Sequence, residues 1–226
     1  MPMKALLQPL EAVAGFDDLK KQLKKELGIV SVYGCLDSQK ANLAAALAQG
    51  RTALLVAENE RKARELYEDM RLYSRNVFYC PRRDLIFFQA DISGNLLTRQ
   101  RMQAFRALAE QENAIIVTST GGCMDYLLPV RVLKNKRLRI QAGEELELTG
   151  LTRKLAELGY ERFGEVDAAG QFAVRGDILD IFPLTEENPW RIEFFGDEVD
   201  SIRSFDPESQ RSIENLQDIV LYPASE

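Results

Sequence analysis

The chain has 226 residues, of which 46% are hydrophobic and 28% charged, and its formal net charge is −6. That composition is typical of a globular protein of one large or two modest domains. The sequence has no apolar run long enough to span a membrane and no signal-peptide layout at its start, so we expect a cytoplasmic protein with no membrane partner. Because histidine is absent, Ser-His-Asp and Cys-His catalytic sites are excluded.

Short apolar strands alternate with helices over the first 130 residues. The pattern predicts strands at 28–34, 52–57, 77–80 and 114–119, and helices at 40–49, 60–73 and from Thr98 to about residue 111. Asn59 is a predicted N-cap, and residues 81–97 are predicted to be irregular. Strands of four to six residues separated by helices indicate β-α-β units and a mostly parallel, three-layer sheet.

The pattern changes after residue 131. A strand and a turn at Gly143 precede a helix that Thr149 is predicted to cap. Short aromatic and β-branched segments then follow, with Gly, Asp or Pro at their junctions, which predicts antiparallel strands joined by hairpins. We therefore expect a first α/β domain at 1–131, a second α+β domain at 132–222, and a short following segment at 223–226.

Charge is distributed unevenly between these two parts. Residues 1–131 carry 18 Lys and Arg against 15 Asp and Glu, while residues 132–226 carry 11 against 20. Such an acidic second part is unsuited to sequence-independent binding of duplex DNA, which depends on many basic contacts to phosphates. A protein partner is the better hypothesis for it.

Residues 34–41 resemble a phosphate-binding loop that has lost essential parts. The first glycine, Gly34, and the lysine, Lys40, are present, but Gln39 replaces the second glycine and Ala41 replaces the hydroxyl that binds Mg²⁺. The strand at 114–119 carries no acidic residue for the second magnesium contact. A glycine-to-helix turn can also match half of this motif by chance, but either interpretation predicts that this domain does not hydrolyse ATP.

The stretch from Gly159 to Ser212 is the most distinctive part of the chain. Its blocks GQFAVRGDILDIFP, RIEFFGDEVDSIRSFD and QRS closely resemble the N-terminal, UvrB-homologous region of the bacterial transcription-repair coupling factor family, Mfd. Residues 1–131 share the resemblance, including YCPRRDLIFFQADISGNLLTRQRMQAFRAL. The order of the blocks is also similar to UvrB, but UvrB resembles an ATPase with an intact P-loop and a tyrosine-rich hairpin, which residues 81–97 lack.

This resemblance implies a fold for each domain and separate functions for this fragment and the rest of the protein. It implies a degenerate RecA-like, P-loop parallel-sheet domain similar to UvrB domain 1a, followed by a smaller antiparallel α+β domain similar to UvrB domain 2. It also implies that the chain is an N-terminal fragment of a longer protein. The remainder would bind RNA polymerase and translocate on double-stranded DNA with ATP and Mg²⁺, whereas the fragment itself would need no cofactor.

The family resemblance further implies a docking surface for UvrA on the second domain. The corresponding residues are Arg175, Arg191 and Phe195, and arginine and aromatic residues dominate interface hot spots. Strand alternation places Phe195 outward if Ile192 and Phe194 are buried.

Other interpretations of these residues remain open. The two arginines could instead pair locally with acids such as Asp177 and Glu193, and Asp180 could order a neighbouring arginine. The carboxylates of Glu193, Asp197, Glu198 and Asp200 could suggest a metal site, but their spacing fits no EF-hand, so a solvated hairpin edge is the better interpretation.

Two alternative functions follow from the same sequence. One is a UvrB-like, nucleotide-dependent excision-repair helicase domain with an unusual loop. The other is a DNA-binding module that uses the nearly neutral α/β part.

Overall fold

The computed structural model describes residues 4–24, 28–83, 91–110 and 113–225, and their helices and strands are as follows. The helices are α1 (Lys4–Glu11), α2 (Phe16–Leu23), α3 (Asp37–Leu47), α4 (Glu60–Arg71), α5 (Asp91–Ala109), α6 (Thr120–Cys123), α7 (Val130–Lys136) and α8 (Leu148–Glu157). The strands are β1 (Ala53–Ala57), β2 (Val77–Cys80), β3 (Ile115–Ser119), β4 (Leu138–Gln141), β5 (Glu161–Arg162), β6 (Gln171–Arg175), β7 (Ile178–Ile181), β8 (Trp190–Phe195), β9 (Glu198–Phe205), β10 (Ser212–Leu216) and β11 (Asp218–Leu221).

These elements form two compact units of mixed α/β structure. The first contains α1–α4, α6 and β1–β3, and the second contains α5, α7, α8 and β4–β11. Helix α5 thus lies in the second unit, although it falls within the predicted first domain at 1–131. Among the described residues, no helix is both long enough and apolar enough to cross a membrane.

The first unit is built on a parallel sheet, as the alternating pattern predicted. Its described strands lie in the order β1-β3-β2, and β3 pairs in parallel with both neighbours. Helix α4 begins at the predicted cap, where the Asn59 side chain accepts a hydrogen bond from the Lys62 N–H at 3.0 Å. Ala41, Met70 and Val117 are buried in the core of this unit. The finer prediction of a RecA-like fold remains a prediction.

Three local predictions for the chain were wrong. Residues 28–33 form no strand, and Ile29 and Tyr33 are exposed, because an apolar run becomes a strand only where a neighbouring strand pairs with it. Helix α5 begins at Asp91 rather than Thr98. It includes the poor helix formers at 93–95, since intrinsic propensity is only a weak prior. Glu147, and not Thr149, is the N-cap of α8. Residues 84–90 of the predicted irregular stretch lie outside the described residues.

The predicted three-layer arrangement is also incomplete at β1. Leu54 and Val56, which share one face of this strand, are exposed, whereas Ala53, Leu55 and Ala57 on the other face are partly covered. A strand in a sheet covered on both faces would be buried on both. Within the described residues, the face that carries Leu54 and Val56 is therefore not covered by a helix.

The second unit contains the antiparallel hairpins that the sequence predicted. A six-stranded sheet has the order β10-β9-β8-β7-β6-β5 and is antiparallel except at the short β5–β6 pair. Strands β4 and β11 form a separate antiparallel pair. One hydrophobic core joins α8 to these strands, with members such as Leu151, Leu155, Leu179, Ile192 and Ile219. The other face of the large sheet carries the polar side chains of Asp180 and Arg191 beside the buried apolar residues Ala173 and Phe205.

Candidate docking site

Two tight hairpin turns lie at one end of the six-stranded sheet. Both are two-residue Gly-Asp turns, with Gly176 at φ 60° and Gly196 at φ 64°, and a two-residue hairpin needs this left-handed conformation. Strands β6 and β8 run in the same direction, because each is antiparallel to β7. Arg175, at the end of β6, and Phe195, at the end of β8, therefore lie at the same end of the sheet.

Phe195 points away from the core, as strand alternation predicted. Ile192 and Phe194 are buried in the core, whereas Phe195 is 81% exposed. A bulge opposite Glu193 and Phe194 separates the pair Glu193–Ser201 from the pair Phe194–Val199. The result is an uncovered aromatic ring beside a turn, which is the kind of side chain that a partner can bury.

Both predicted arginines bind a single buried carboxylate, that of Asp180. Arg175 Nη2 donates to Oδ2 at 2.6 Å, while Arg191 donates through Nε to Oδ1 at 2.6 Å and through Nη2 to Oδ2 at 2.8 Å. The Asp180 side chain is 2% exposed, that of Arg191 12% and that of Arg175 44%. Asp180 faces Arg191 directly across β7 and β8, so the strand register creates this cluster.

Arg191 is held on further sides by two residues to which the sequence analysis assigned no role. Its guanidinium lies 4.3 Å from the centre of the Phe205 ring, and its Nη2 also donates to Gln210 Oε1 at 2.8 Å. The hydrogen bonds to Asp180 raise the pKa of Arg191 above its ordinary value, against the effect of burial. The cation is thus fixed in one orientation, with a delocalised charge stacked on an aromatic face.

The arginines do pair with local acids, as the alternative interpretation held, but these are Asp180 and, for Arg175, also Glu165 at 3.8 Å. The Asp177 carbonyl accepts the Phe194 N–H at 2.9 Å. Glu193 binds Arg203 and accepts from Ser201 Oγ at 2.9 Å. The prediction that Asp180 orders a neighbouring arginine is confirmed, and Asp180 orders two.

The carboxylates near the β8–β9 turn do not gather around a common point. Glu193 is held by Arg203, while Asp197, Glu198 and Asp200 are exposed. Across the part of the chain that the structure describes, no three Cys, Asp or Glu side chains are placed to hold a metal ion.

In the degenerate phosphate loop, the Lys40 ammonium and the Leu36 N–H both bind side chains of the loop itself. Lys40 Nζ lies 2.8 Å from Asp37 Oδ1, and Lys62 Nζ lies 3.4 Å from Asp37 Oδ2. These lysines lower the pKa of Asp37, with the hydrogen bond from Lys40 as the largest cause. Gln39 Oε1 accepts the Leu36 N–H at 3.0 Å. Gly34 has φ 79°, and Ala41 is fully buried.

Comparison with known proteins finds a family match for most of the second unit. The family model described as "UvrB interaction domain" matches residues 138–226. These residues are thus similar to a UvrB interaction domain, and that name is used below for residues 138–226. All three candidate docking residues, the Asp180 cluster and both Gly-Asp turns lie within this UvrB interaction domain.

The predicted resemblance to transcription-repair coupling factors is confirmed over most of the chain. A transcription-repair-coupling factor of Bacillus subtilis is 37% identical over 92% of this chain, and one of Staphylococcus aureus is 32% identical over 76%. The UvrABC system protein B of Thermosipho africanus is 30% identical over 92%. The chain spans 18%, 15% and 34% of the lengths of these relatives, respectively.

Sequence reasoning missed Phe205 and Gln210 as parts of the UvrB interaction domain's arginine cluster. Phe205 is the penultimate residue of the block RIEFFGDEVDSIRSFD and Gln210 begins the block QRS, so both lie in quoted stretches. No sequence pattern pairs them with Arg191, which lies 14 and 19 positions earlier in the chain. Asp180 could be found, because a charged residue between Leu179 and Ile181 on a buried strand requires a partner.

Proposed function

We propose that the chain is a non-catalytic docking module that binds UvrA, the damage-recognition ATPase of nucleotide excision repair. The observation that carries the proposal is the arginine cluster of the UvrB interaction domain. Two arginines share the Asp180 carboxylate on the sheet face that also carries the exposed Phe195 ring, and Arg175 lies at the same end of the sheet as that ring. Oriented guanidinium groups beside an uncovered aromatic ring supply the forked donors and rigid apolar area typical of interface hot spots.

Each candidate residue has a distinct role in this proposal. Arg175, whose side chain is nearly half exposed, presents donors to carboxylate or carbonyl acceptors on UvrA. Arg191 is mostly enclosed, so it contributes the remaining edge of its guanidinium and a fixed positive charge. Phe195 fills an apolar pocket on the partner.

The proposal that the fragment lacks activity of its own draws on the degenerate phosphate loop. The Asp37 carboxylate forms an ion pair with Lys40, and the Gln39 side chain accepts a hydrogen bond from the Leu36 N–H at the start of α3. A phosphate would therefore have to displace an internal carboxylate and an internal amide. It would do so without the second glycine or the metal-binding hydroxyl of a P-loop.

In the longer protein, the module would recruit UvrA to stalled RNA polymerase during transcription-coupled repair. The names of the relatives support this context, since transcription-repair-coupling factors match most of the chain. RNA polymerase and double-stranded DNA would then be partners of other parts of that protein. ATP and Mg²⁺ would serve its translocase.

The test is the affinity of UvrA for this chain and for alanine variants, measured by calorimetry. Arg175→Ala, Arg191→Ala and Phe195→Ala should each weaken binding by about 1–3 kcal/mol. Arg139→Ala and Tyr126→Ala are matched controls: Arg139 forms an exposed ion pair with Asp218 at 3.0 Å in the separate β4–β11 sheet, and Tyr126 is an exposed aromatic residue. Full affinity in all three docking variants would reject the site.

A thermal shift with Mg-ATP tests the proposed lack of nucleotide chemistry separately. We expect no saturable stabilisation of the wild-type chain. A concentration-dependent rise in Tm that Lys40→Ala abolishes would instead support the nucleotide-dependent alternative.

A further inference from the structure

Gln210 has an unusual backbone conformation. It has φ 59°, and it is the one residue other than glycine with positive φ among residues 4–24, 28–83, 91–110 and 113–225. This left-handed region is unfavourable for a side chain of its type, whereas glycine and asparagine adopt it readily. A non-glycine residue kept there marks a position where the side chain has a role.

The turn around Gln210 does not itself require a glutamine. The Gln210 N–H donates to the Asp206 carbonyl at 2.8 Å, and the Asp206 carboxylate accepts from Ser209 N–H and Oγ at 2.6 and 2.8 Å. These bonds involve the backbone of residue 210 or other residues altogether. Only the bond from Gln210 Nε2 to the Pro207 carbonyl, at 2.9 Å, uses its side chain within the turn.

The acceptor end of the same amide reaches out of the turn to Arg191. Gln210 Oε1 accepts from Nη2 at 2.8 Å, on the guanidinium that Asp180 and the Phe205 ring already contact. Because Nε2 is anchored on Pro207, the amide cannot rotate freely and its oxygen stays aimed at the guanidinium. Asparagine, shorter by one methylene, would suit the turn but could not span this distance.

We propose that Gln210 is a positioning residue for UvrA docking: it fixes the guanidinium plane of Arg191 before the partner arrives. This inference rests on the proposed function, because it acts through Arg191. A long side chain that is already ordered loses less conformational entropy on binding. The unfavourable φ of Gln210 is thus retained for the reach of its amide oxygen.

The experiment compares UvrA affinity and Tm for Gln210→Asn, Gln210→Gly, Arg191→Ala and the double variant Arg191→Ala/Gln210→Asn in the full chain. Both Gln210 variants should weaken binding about three- to tenfold, the range expected for ordering one long side chain. Their Tm should be unchanged or higher, because asparagine and glycine relieve the left-handed conformation. The double variant should bind no more weakly than Arg191→Ala alone, since the two residues act as a unit.

The four variants distinguish failure of the Gln210 inference from failure of the proposed function. If Arg191→Ala binds UvrA with full affinity, the proposed function fails. If Arg191→Ala weakens binding while Gln210→Asn does not, only the positioning role is overturned. A Tm that falls in both Gln210 variants, or losses that add in the double variant, would also overturn it, because each outcome indicates a structural or independent contribution.

Discussion

The carboxylate of Asp180 receives two hydrogen bonds from the guanidinium of Arg191, from Nε at 2.6 Å and from Nη2 at 2.8 Å. The two residues are direct cross-strand neighbours in an antiparallel pair, where side chains approach most closely. A bidentate contact of this kind restricts the orientation of the guanidinium as well as its distance. Asp180, together with Phe205 and Gln210, therefore sets how Arg191 is presented on this face of the sheet.

Asp180→Asn should destabilise the second unit. The change leaves two arginines beside a neutral amide, and we expect a loss of about 2–3 kcal/mol, less than for a fully buried pair because Arg175 is partly solvated. Urea unfolding measures the loss, with Asp197→Asn on the exposed turn as the matched control. An Asp180→Asn midpoint equal to that of the control would mean that the cluster adds no net stability.

Phe194 and Phe195 are adjacent phenylalanines with opposite environments. Phe194→Ala should lower the free energy of unfolding by about 3–5 kcal/mol, because it leaves a cavity in the core. Phe195→Ala should change that free energy by no more than about 0.5 kcal/mol, because its ring is exposed. Chemical denaturation of the two variants in parallel provides the comparison, and similar losses from both would contradict the assigned faces of β8.

Asn59 should stabilise the start of α4. Its side chain accepts the Lys62 N–H, so Asn59→Ala should reduce the free energy of unfolding by about 1 kcal/mol. Asn59→Asp retains an acceptor oxygen at the same reach and serves as the control. A loss in the aspartate variant as large as in the alanine variant would show that the capping bond is not the cause.

Asp206 should give the β9–β10 turn a pH-dependent stability. The pKa of Asp206 is lowered, mainly by the backbone N–H of Ser209 and then by the Ser209 hydroxyl. Since the folded-state pKa lies below the unfolded value of about 3.9, the stabilisation is present above that pH. It is lost as the pH falls through the folded-state pKa.

Wild type and Asp206→Ala should therefore differ in stability at pH 6 and converge as the solution becomes strongly acidic. Unfolding midpoints collected from pH 6 down to about pH 2 follow this convergence. A stability difference that stays constant over the whole range would argue against the ionised carboxylate as its source.

Much of the fold could be predicted from local sequence patterns. The strands β1, β2 and β3, the Asn59 cap and the hairpins of the second unit follow from periodicity and turn residues that lie close together in the chain. The prediction at 28–34 failed for a tertiary reason. Apolar periodicity describes the strand itself and says nothing of whether a neighbour is present to pair with it.

The candidate site, like the fold, was predicted in part from the sequence and in part only by the tertiary structure. By itself, the sequence determined that the chain resembles a coupling-factor module, that its phosphate loop lacks the groups that hold a magnesium nucleotide, and that Phe195 faces outward if Ile192 and Phe194 are buried. These conclusions follow from residue types at fixed spacing and from strand alternation. Only the tertiary structure decided that Asp180 serves both arginines and that Phe205 and Gln210 enclose Arg191, because these contacts, 5 to 19 positions apart in the chain, are set by strand register and loop path.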